Sequence, residues 1–236
     1  MPGRHHSSWV METGNSLYWF DAGESCAYTA YLLNIELLNI RTLFISHPHF
    51  DHVGGLPHLF WTLSKLKTVR EAELRHPFSV YAPIPEQIQR ILEDHPGPKF
   101  IPVLPIREGT VYQDENIQVE AIHNLHLGEP ADGIWRSFSF RIAGGGKNIV
   151  FSGDLSSVDE LGEWPTGADL MFMESGHHDP AEVCRRLKER NTLPRLLVFM
   201  HHGRRILANP DFYRRECPLL CGTDVRIADD GMVIEL

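Results

Sequence analysis

The stretch His47-Pro48-His49-Phe50-Asp51-His52, followed by Val53-Gly54-Gly55-Leu56-Pro57, constrains this chain more than any other. Four of its six residues are good metal ligands. The apolar run Leu43-Phe44-Ile45-Ser46 just before it reads as a buried strand. Gly54-Gly55 just after it can open a turn, and a helical pattern follows. The ligands therefore sit on a loop between a strand end and a helix start, where a rigid scaffold holds functional residues. A polar loop hardly ever produces these ligand types at this spacing by chance.

The chain of 236 residues is long enough to bury a sizeable core. No Ser/Gly-rich linker, low-complexity tract or charge run divides it, so one domain over residues 1–236 is expected. The net charge of -9 argues against a non-specific nucleic-acid coat, which needs a basic surface. It leaves anionic substrates open, because a metal pair reverses the local field. The first residues hold no apolar signal core. No run of about 18 apolar residues occurs. A cytoplasmic protein with no membrane span is expected. Cys26, Cys184, Cys217 and Cys221 form no close-set framework and read as reduced structural thiols.

Strand and helix signals alternate along the chain. Residues 8–12 and 17–21 read as short strands around a turn at 13–16, and the second ends in Asp21-Ala22-Gly23. Residues 26–38 read as a helix, 42–46 as a strand, 55–69 as a helix and 71–77 as a polar connection. Residues 78–81 read as a strand, and 84–94 as an amphipathic helix with Ile84, Ile88 and Ile91 on one stripe. The turn residues His95-Pro96-Gly97-Pro98 stop it, and 100–104 read as a strand. A hairpin is expected over 110–113 and 117–122, and another over 137–142 and 148–152 across Gly144-Gly145-Gly146. A strand at 170–173, a helix at 180–190, a strand at 196–200 and a helix at 210–219 follow. A last hairpin over 225–228 and 232–236 closes the chain. A short α/β repeat used twice, with two sheets packed face to face, suits this pattern.

Fourteen histidines are the compositional anomaly, and histidine is the commonest metal ligand. His5, His6, His58, His76 and His95 read as surface or packing residues. Others fall at strand ends. Residues 117–122 run on to His123 and His126, 148–152 end in Gly153-Asp154, and 196–200 end in His201-His202. A pair of catalytic ions needs about six or seven N or O ligands, with one carboxylate between them. The chain supplies His47, His49 and His126 for one ion, Asp51, His52 and His201 for the other, and Asp154 between. His123 and His202 are the alternatives to His126 and His201. Water held between such ions is a nucleophile at neutral pH, and Asp51 is placed to aim it.

With these stations in order, the sequence resembles the metallo-β-lactamase fold superfamily. Phe20-Asp21-Ala22-Gly23 lies before the signature, Gly54-Gly55-Leu56 after it, then Ser152-Gly153-Asp154 and His201. The resemblance spans nearly the whole chain. It implies an α/β protein, a four-layer αβ/βα sandwich of two mixed sheets flanked by helices. It implies two divalent metal ions, zinc first, with manganese or iron as alternatives. Asp21 matches an aspartate that buttresses the ligand loop. Gly153-Asp154 looks like the bridging aspartate of ribonuclease Z and glyoxalase II rather than the cysteine of true β-lactamases. Residues 17–57 look most like ribonuclease Z and a related cyclic phosphodiesterase, and by that likeness His126 is the third histidine.

Two departures bear on the substrate. Where ribonuclease Z has His-Glu-Ala-Thr, this chain has Met173-Glu174-Ser175-Gly176, without that histidine. His177 and His178 lie just beyond and are candidates for a general acid. No long Gly/Pro-rich arm for gripping transfer RNA is visible, so transfer RNA is not the expected partner. Arg205, with Arg204, is a candidate for a substrate phosphate, and Trp135 for a pocket wall. The expectation is a hydrolase of a small phosphodiester, in a monomer or homodimer. Hydrolysis of a carboxylic ester, lactone or thioester stands second, and a di-iron redox, sensor or ligand-binding role is the reading of another class.

Overall fold

The segment Leu17-Tyr18-Trp19-Phe20 carries no charged side chain, the Trp19 indole N–H is satisfied by the Ser8 hydroxyl, and it becomes an inner strand buried along its whole length. In the computed structural model, which describes residues 4–70, 78–93 and 101–236 (67–70 by backbone only), it belongs to the first of two units, residues 2–106. The second unit spans residues 107–236.

In the first unit, β1 (Trp9–Thr13) pairs antiparallel with β2 (Ser16–Phe20). The chain continues through α1 (Cys26–Leu32), β3 (Ile40–Phe44), α2 (Phe50–Val53), α3 (Leu56–Arg70), β4 (Ser79–Ala82), α4 (Pro85–Glu93) and β5 (Val103–Pro105). From β2 to β5 the neighbours are parallel, giving a five-stranded sheet in chain order. The two-residue side-chain period sorts each strand's faces. Leu17, Trp19, Leu43 and Val80 join Ala27, Ala30, Leu56, Phe60 and Ile88 in one apolar core. On the other face Trp9, Phe20, Phe44 and Tyr81 stack in a row, with ring centroids 4.3, 4.9 and 5.4 Å apart.

The expected helix over 26–38 stops early. Asn34 adopts a left-handed conformation, φ 56°, and Ile35 N–H donates to the Ala30 carbonyl. Asn tolerates that conformation at a helix end. A 3-10 turn, Leu37–Asn39, leads into β3 instead. The expected connection at 71–77, the stop at 95–98, His76 and His95 lie outside the described residues.

In the second unit β6 (Gly109–Gln113), β7 (Ile117–His123), β8 (Phe138–Gly144) and β9 (Lys147–Phe151) form an antiparallel meander. Then β10 (Leu170–Ser175), β11 (Leu196–His202) and β12 (Asp224–Ile227) add parallel strands. The result is a seven-stranded mixed sheet. Helix α5 (Pro180–Glu189) follows β10, while α6 (Arg204–Ala208) and α7 (Pro210–Cys221) link β11 to β12. Asp179 caps α5 by accepting from the amides of Ala181 and Glu182. Met171, Met173, Leu197 and Phe199 pack with Val183, Leu187, Tyr213 and Cys217.

The closing hairpin is not formed. The turn exists, with Met232 N–H on the Asp229 carbonyl, but Met232, Val233 and Leu236 are exposed. Strand β12 satisfies its core contacts through Val225 and Ile227, and its other residues, Asp224 and Arg226, face water. A returning apolar strand therefore finds no apolar partner there.

All four cysteines are free and buried. Burial pushes the Cys26 thiol up to about 12, and the thiolate is the reactive form. The native protein is therefore expected to leave an aromatic disulfide reagent unreacted at pH 8 and to release four equivalents only after denaturant. Rapid reaction of native protein contradicts this packing.

Candidate functional site

In the first unit everything turns on Asp21. It follows β2 with φ 54° and is wholly buried. One carboxylate oxygen, Oδ1, accepts from the Ser46 amide at 2.7 Å. The other, Oδ2, accepts from the Ser46 hydroxyl at 2.8 Å and from His52 Nδ1 at 2.7 Å. With its proton given to Asp21, the Ser46 hydroxyl can only accept from His47 Nδ1, 3.0 Å away. Both imidazoles thus carry hydrogen on Nδ1, and each presents the lone pair of Nε2.

Backbone contacts fix the same loop. Ala22 N–H donates to the His52 carbonyl and Ser7 N–H to that of Asp51. Gly55 N–H donates to the Ala22 carbonyl, and a Cβ on Gly55 falls 2.1 Å from the Gly23 carbonyl oxygen. Only glycine allows that approach. His47 Nε2 and His49 Nδ1 face each other at 3.1 Å. Two nitrogens coordinating one zinc at about 2.05 Å with tetrahedral angles lie roughly 3.3 Å apart, so this pair fits a shared cation. Asp51 lies in the first turn of the short helix α2, half-buried.

In the second unit the centre is Asp154, presented after β9 by Gly153 in the left-handed conformation, φ 56°. Its carboxylate is 2% exposed. Oδ2 lies 3.7 Å from His126 Nε2, 3.7 Å from His201 Nε2 and 3.6 Å from His177 Nδ1. These separations are too long for hydrogen bonds; those of His126 and His201 suit donors arranged around a common ion, while His177 Nδ1 is bonded to Glu174 Oε1 at 3.1 Å. Asp154, Glu174, His177 and His201 each offer a ligand atom within 4.8 Å of the others. The N and O donor set fits a divalent metal. His201 is held at φ 49° at the end of β11. A Cβ at Gly176 falls 2.5 Å from its Nδ1, so Gly176 makes room for that ring.

The alternatives separate cleanly. His202 is engaged at both ring nitrogens, by Ser175 Oγ at 3.0 Å and the Ala228 carbonyl at 2.7 Å. His123 bonds Glu108 through Nδ1 at 2.6 Å, and its ring stacks on Trp135. Neither faces Asp154 as His201 and His126 do. Of the two general-acid candidates, His178 Nε2 bonds the Leu155 carbonyl at 3.1 Å. His177 is held to Glu174 by its amide at 2.9 Å and by Nδ1 at 3.1 Å, with its side chain 47% exposed. Arg205 lies 3.7 Å from Asp179, which also holds the Tyr213 hydroxyl at 2.8 Å, so Arg205 belongs with that cluster.

Sequence reasoning passed over Glu174 and Ser46 as functional residues. Glu174 is 1% exposed and organises His177. Its signal was a lone acid ending the apolar run Leu170-Met171-Phe172-Met173, since an unpaired buried carboxylate is too costly to keep.

A family model described as Metallo-beta-lactamase superfamily matches residues 1–202. A ribonuclease Z of Treponema denticola is 33% identical over 122 residues, covering 51% of this chain and 39% of that protein. A ribonuclease Z of Shouchella clausii is 22% identical over 286 residues, covering 96% and 89%. Against the Treponema denticola and Bacillus velezensis relatives, the chain spans 39% and 37% of their length. Among solved structures, the metallo-beta-lactamase fold protein YhfI from Bacillus subtilis superposes with TM-score 0.81 at 17% identity, over 100% of this chain and 94% of that one. Human tRNase Z, short form, gives 0.68 at 21% identity, covering 100% and 94%. A diphosphatase of the PhnP family gives 0.69 at 16%, covering 98% and 84%. These likenesses establish the fold, with its two mixed sheets and flanking helices. No helix among the described residues is long and apolar enough to cross a membrane.

Replacing Asp21 by Ala removes the partner of the His52 ring and releases the Ser46 hydroxyl that orients His47. Metal affinity is expected to fall about 10- to 100-fold, measured by competition with a chromogenic chelator. Unchanged affinity removes Asp21 from this role.

Proposed function

The chain belongs to the metallo-beta-lactamase superfamily, and on that premise we propose that it is a dinuclear-metal-dependent hydrolase of a phosphodiester in a small substrate. The observation that carries the reading is Asp154, a buried carboxylate with the Nε2 atoms of His126 and His201 each 3.7 Å from one oxygen. We propose further that residues 1–236 form a single domain. The family match, which runs through both units, supports this. By the family likeness, His47, His49 and His126 would hold one ion and Asp51, His52 and His201 the other, with Asp154 as a shared carboxylate ligand.

Two zinc ions, or manganese or iron in their place, supply Lewis acidity and lower the pKa of water to near neutrality. The chain's own groups do the rest. Asp21 and Ser46 keep Nε2 of His47 and His52 outward. Asp51 accepts a hydrogen bond from the attacking water and aims it. His177 delivers a proton to the leaving oxygen, oriented by Glu174. His178 is less suited, because its Nε2 is engaged by a backbone carbonyl. The preference for a small substrate over transfer RNA is supported by the net charge of -9. Phosphodiester is preferred because the curated relatives include ribonuclease Z; a diphosphatase that shares the fold also acts at phosphorus.

Metal analysis joined to a panel of generic phosphodiester, ester, lactone and thioester substrates tests the reading. Two ions per chain and turnover of the phosphodiester are expected, with both falling sharply in Asp154→Ala. A redox-active di-iron protein without hydrolysis overturns it. His177→Ala is expected to keep its metal and lower kcat by about 10² or more, with His178→Ala closer to wild type. Equal, full activity in both variants removes the general-acid role.

A further inference from the structure

Between β7 and β8 the chain makes an excursion over residues 124–137 that roots directly on His126. Its base is tied several times. Asn124 Oδ1 accepts from the His126 amide and the Ser137 hydroxyl, the Arg136 guanidinium donates to the Leu127 carbonyl, and Leu125 N–H donates to Glu160. Its tip is a tight turn. Ala131 and Ile134 exchange backbone hydrogen bonds around Asp132 and Gly133, both at positive φ (52° and 74°), the geometry of a primed hairpin turn. It is a small rigid flap.

That rigidity holds apolar groups in water. Ile134 is 54% and Leu125 39% exposed. Trp135 is fixed by stacking on His123 at 3.6 Å and 13°, and His123 is in turn held by Glu108. A short polar loop needs none of this to connect two strands. Exposed apolar groups on a loop braced by its own hydrogen bonds and carrying His126 near its root offer a preformed contact surface. The flap's charge narrows the occupant. It carries Glu129 and Asp132, with Glu108 and Glu160 at its root, and its one cation, Arg136, binds its own backbone. This acidic surround disfavours a further anionic group, and the exposed side chains Ile134 and Leu125 are apolar, so the occupant they fit is an uncharged apolar group.

We propose that this flap is a specificity element, on which a neutral aromatic or branched aliphatic group of the substrate rests against Ile134 and Trp135. This rests on the hydrolase reading for the reacting group, but binding at the flap is measurable without turnover. The probes are phenylphosphonate and methylphosphonate, titrated into the full chain with zinc added, while the Ile134 methyl and Trp135 indole resonances are followed. Phenylphosphonate is expected to shift both and to bind more tightly than methylphosphonate. Ile134→Ser, at an exposed position that leaves folding intact, is expected to weaken phenylphosphonate about fivefold and to leave methylphosphonate and metal content unchanged. Trp135→Phe, which keeps a ring against His123, is expected to retain most of the preference. Equal binding of the two probes, no response at Ile134 and Trp135, or no effect of Ile134→Ser overturns the proposal. Absence of turnover in metal-loaded wild type sinks the hydrolase reading instead, and the titration still decides the flap.

Discussion

A single buried carboxylate organises the ligand loop. Asp21 accepts three hydrogen bonds, two from Ser46 and one from His52, and through the Ser46 hydroxyl it also sets the proton on His47. A carboxyl group this deep is tolerated because its oxygens are satisfied by three hydrogen bonds, and each one orients a group of the loop. The result is two imidazoles held in the same tautomer, each with its Nε2 lone pair turned away from Asp21 and Ser46. Pre-orientation of this kind reduces the ordering that binding must impose.

The second unit uses the same logic with different parts. Asp154 and Glu174 are both buried, and each is surrounded by histidines rather than by arginines or lysines. Glu174 is tied to the amide and ring of His177 and approaches His178, while Asp154 has imidazole nitrogens at distances that leave space for an ion. Backbone conformation is part of the device. Gly153, Gly176 and the left-handed His201 place groups where ordinary strand geometry does not reach, and local strain of this sort is held by the strands that flank it.

Much of this was legible in the residue order. The ligand run after an apolar strand, and the later strands ending in His126, Asp154 and His201, marked the candidate site because metal chemistry demands those donor types in that number. Strand and hairpin positions followed from alternation, as in residues 137–142. The misses have local causes. Asn34 ended α1 by adopting a conformation that helical periodicity does not report. The tail after Asp229-Asp230-Gly231 turned as expected but found no partner strand, which is a matter of what lies opposite rather than of propensity. Glu174 looked like the end of a strand until its burial was known.

The sequence alone determined the donor inventory, the alternation of strands and helices, and the loop on which His47, His49, Asp51 and His52 stand. These depend on residue type and short-range period. Only the tertiary structure decided between neighbours one or a few positions apart. His202 turns both nitrogens to protein acceptors and donors while His201 faces Asp154, and His123 stacks on Trp135 while His126 approaches the same carboxylate. Adjacent residues at a strand end point in different directions, and which direction meets the carboxylate is fixed by backbone torsion and by the elements packed beside it, neither of which is written in the spacing.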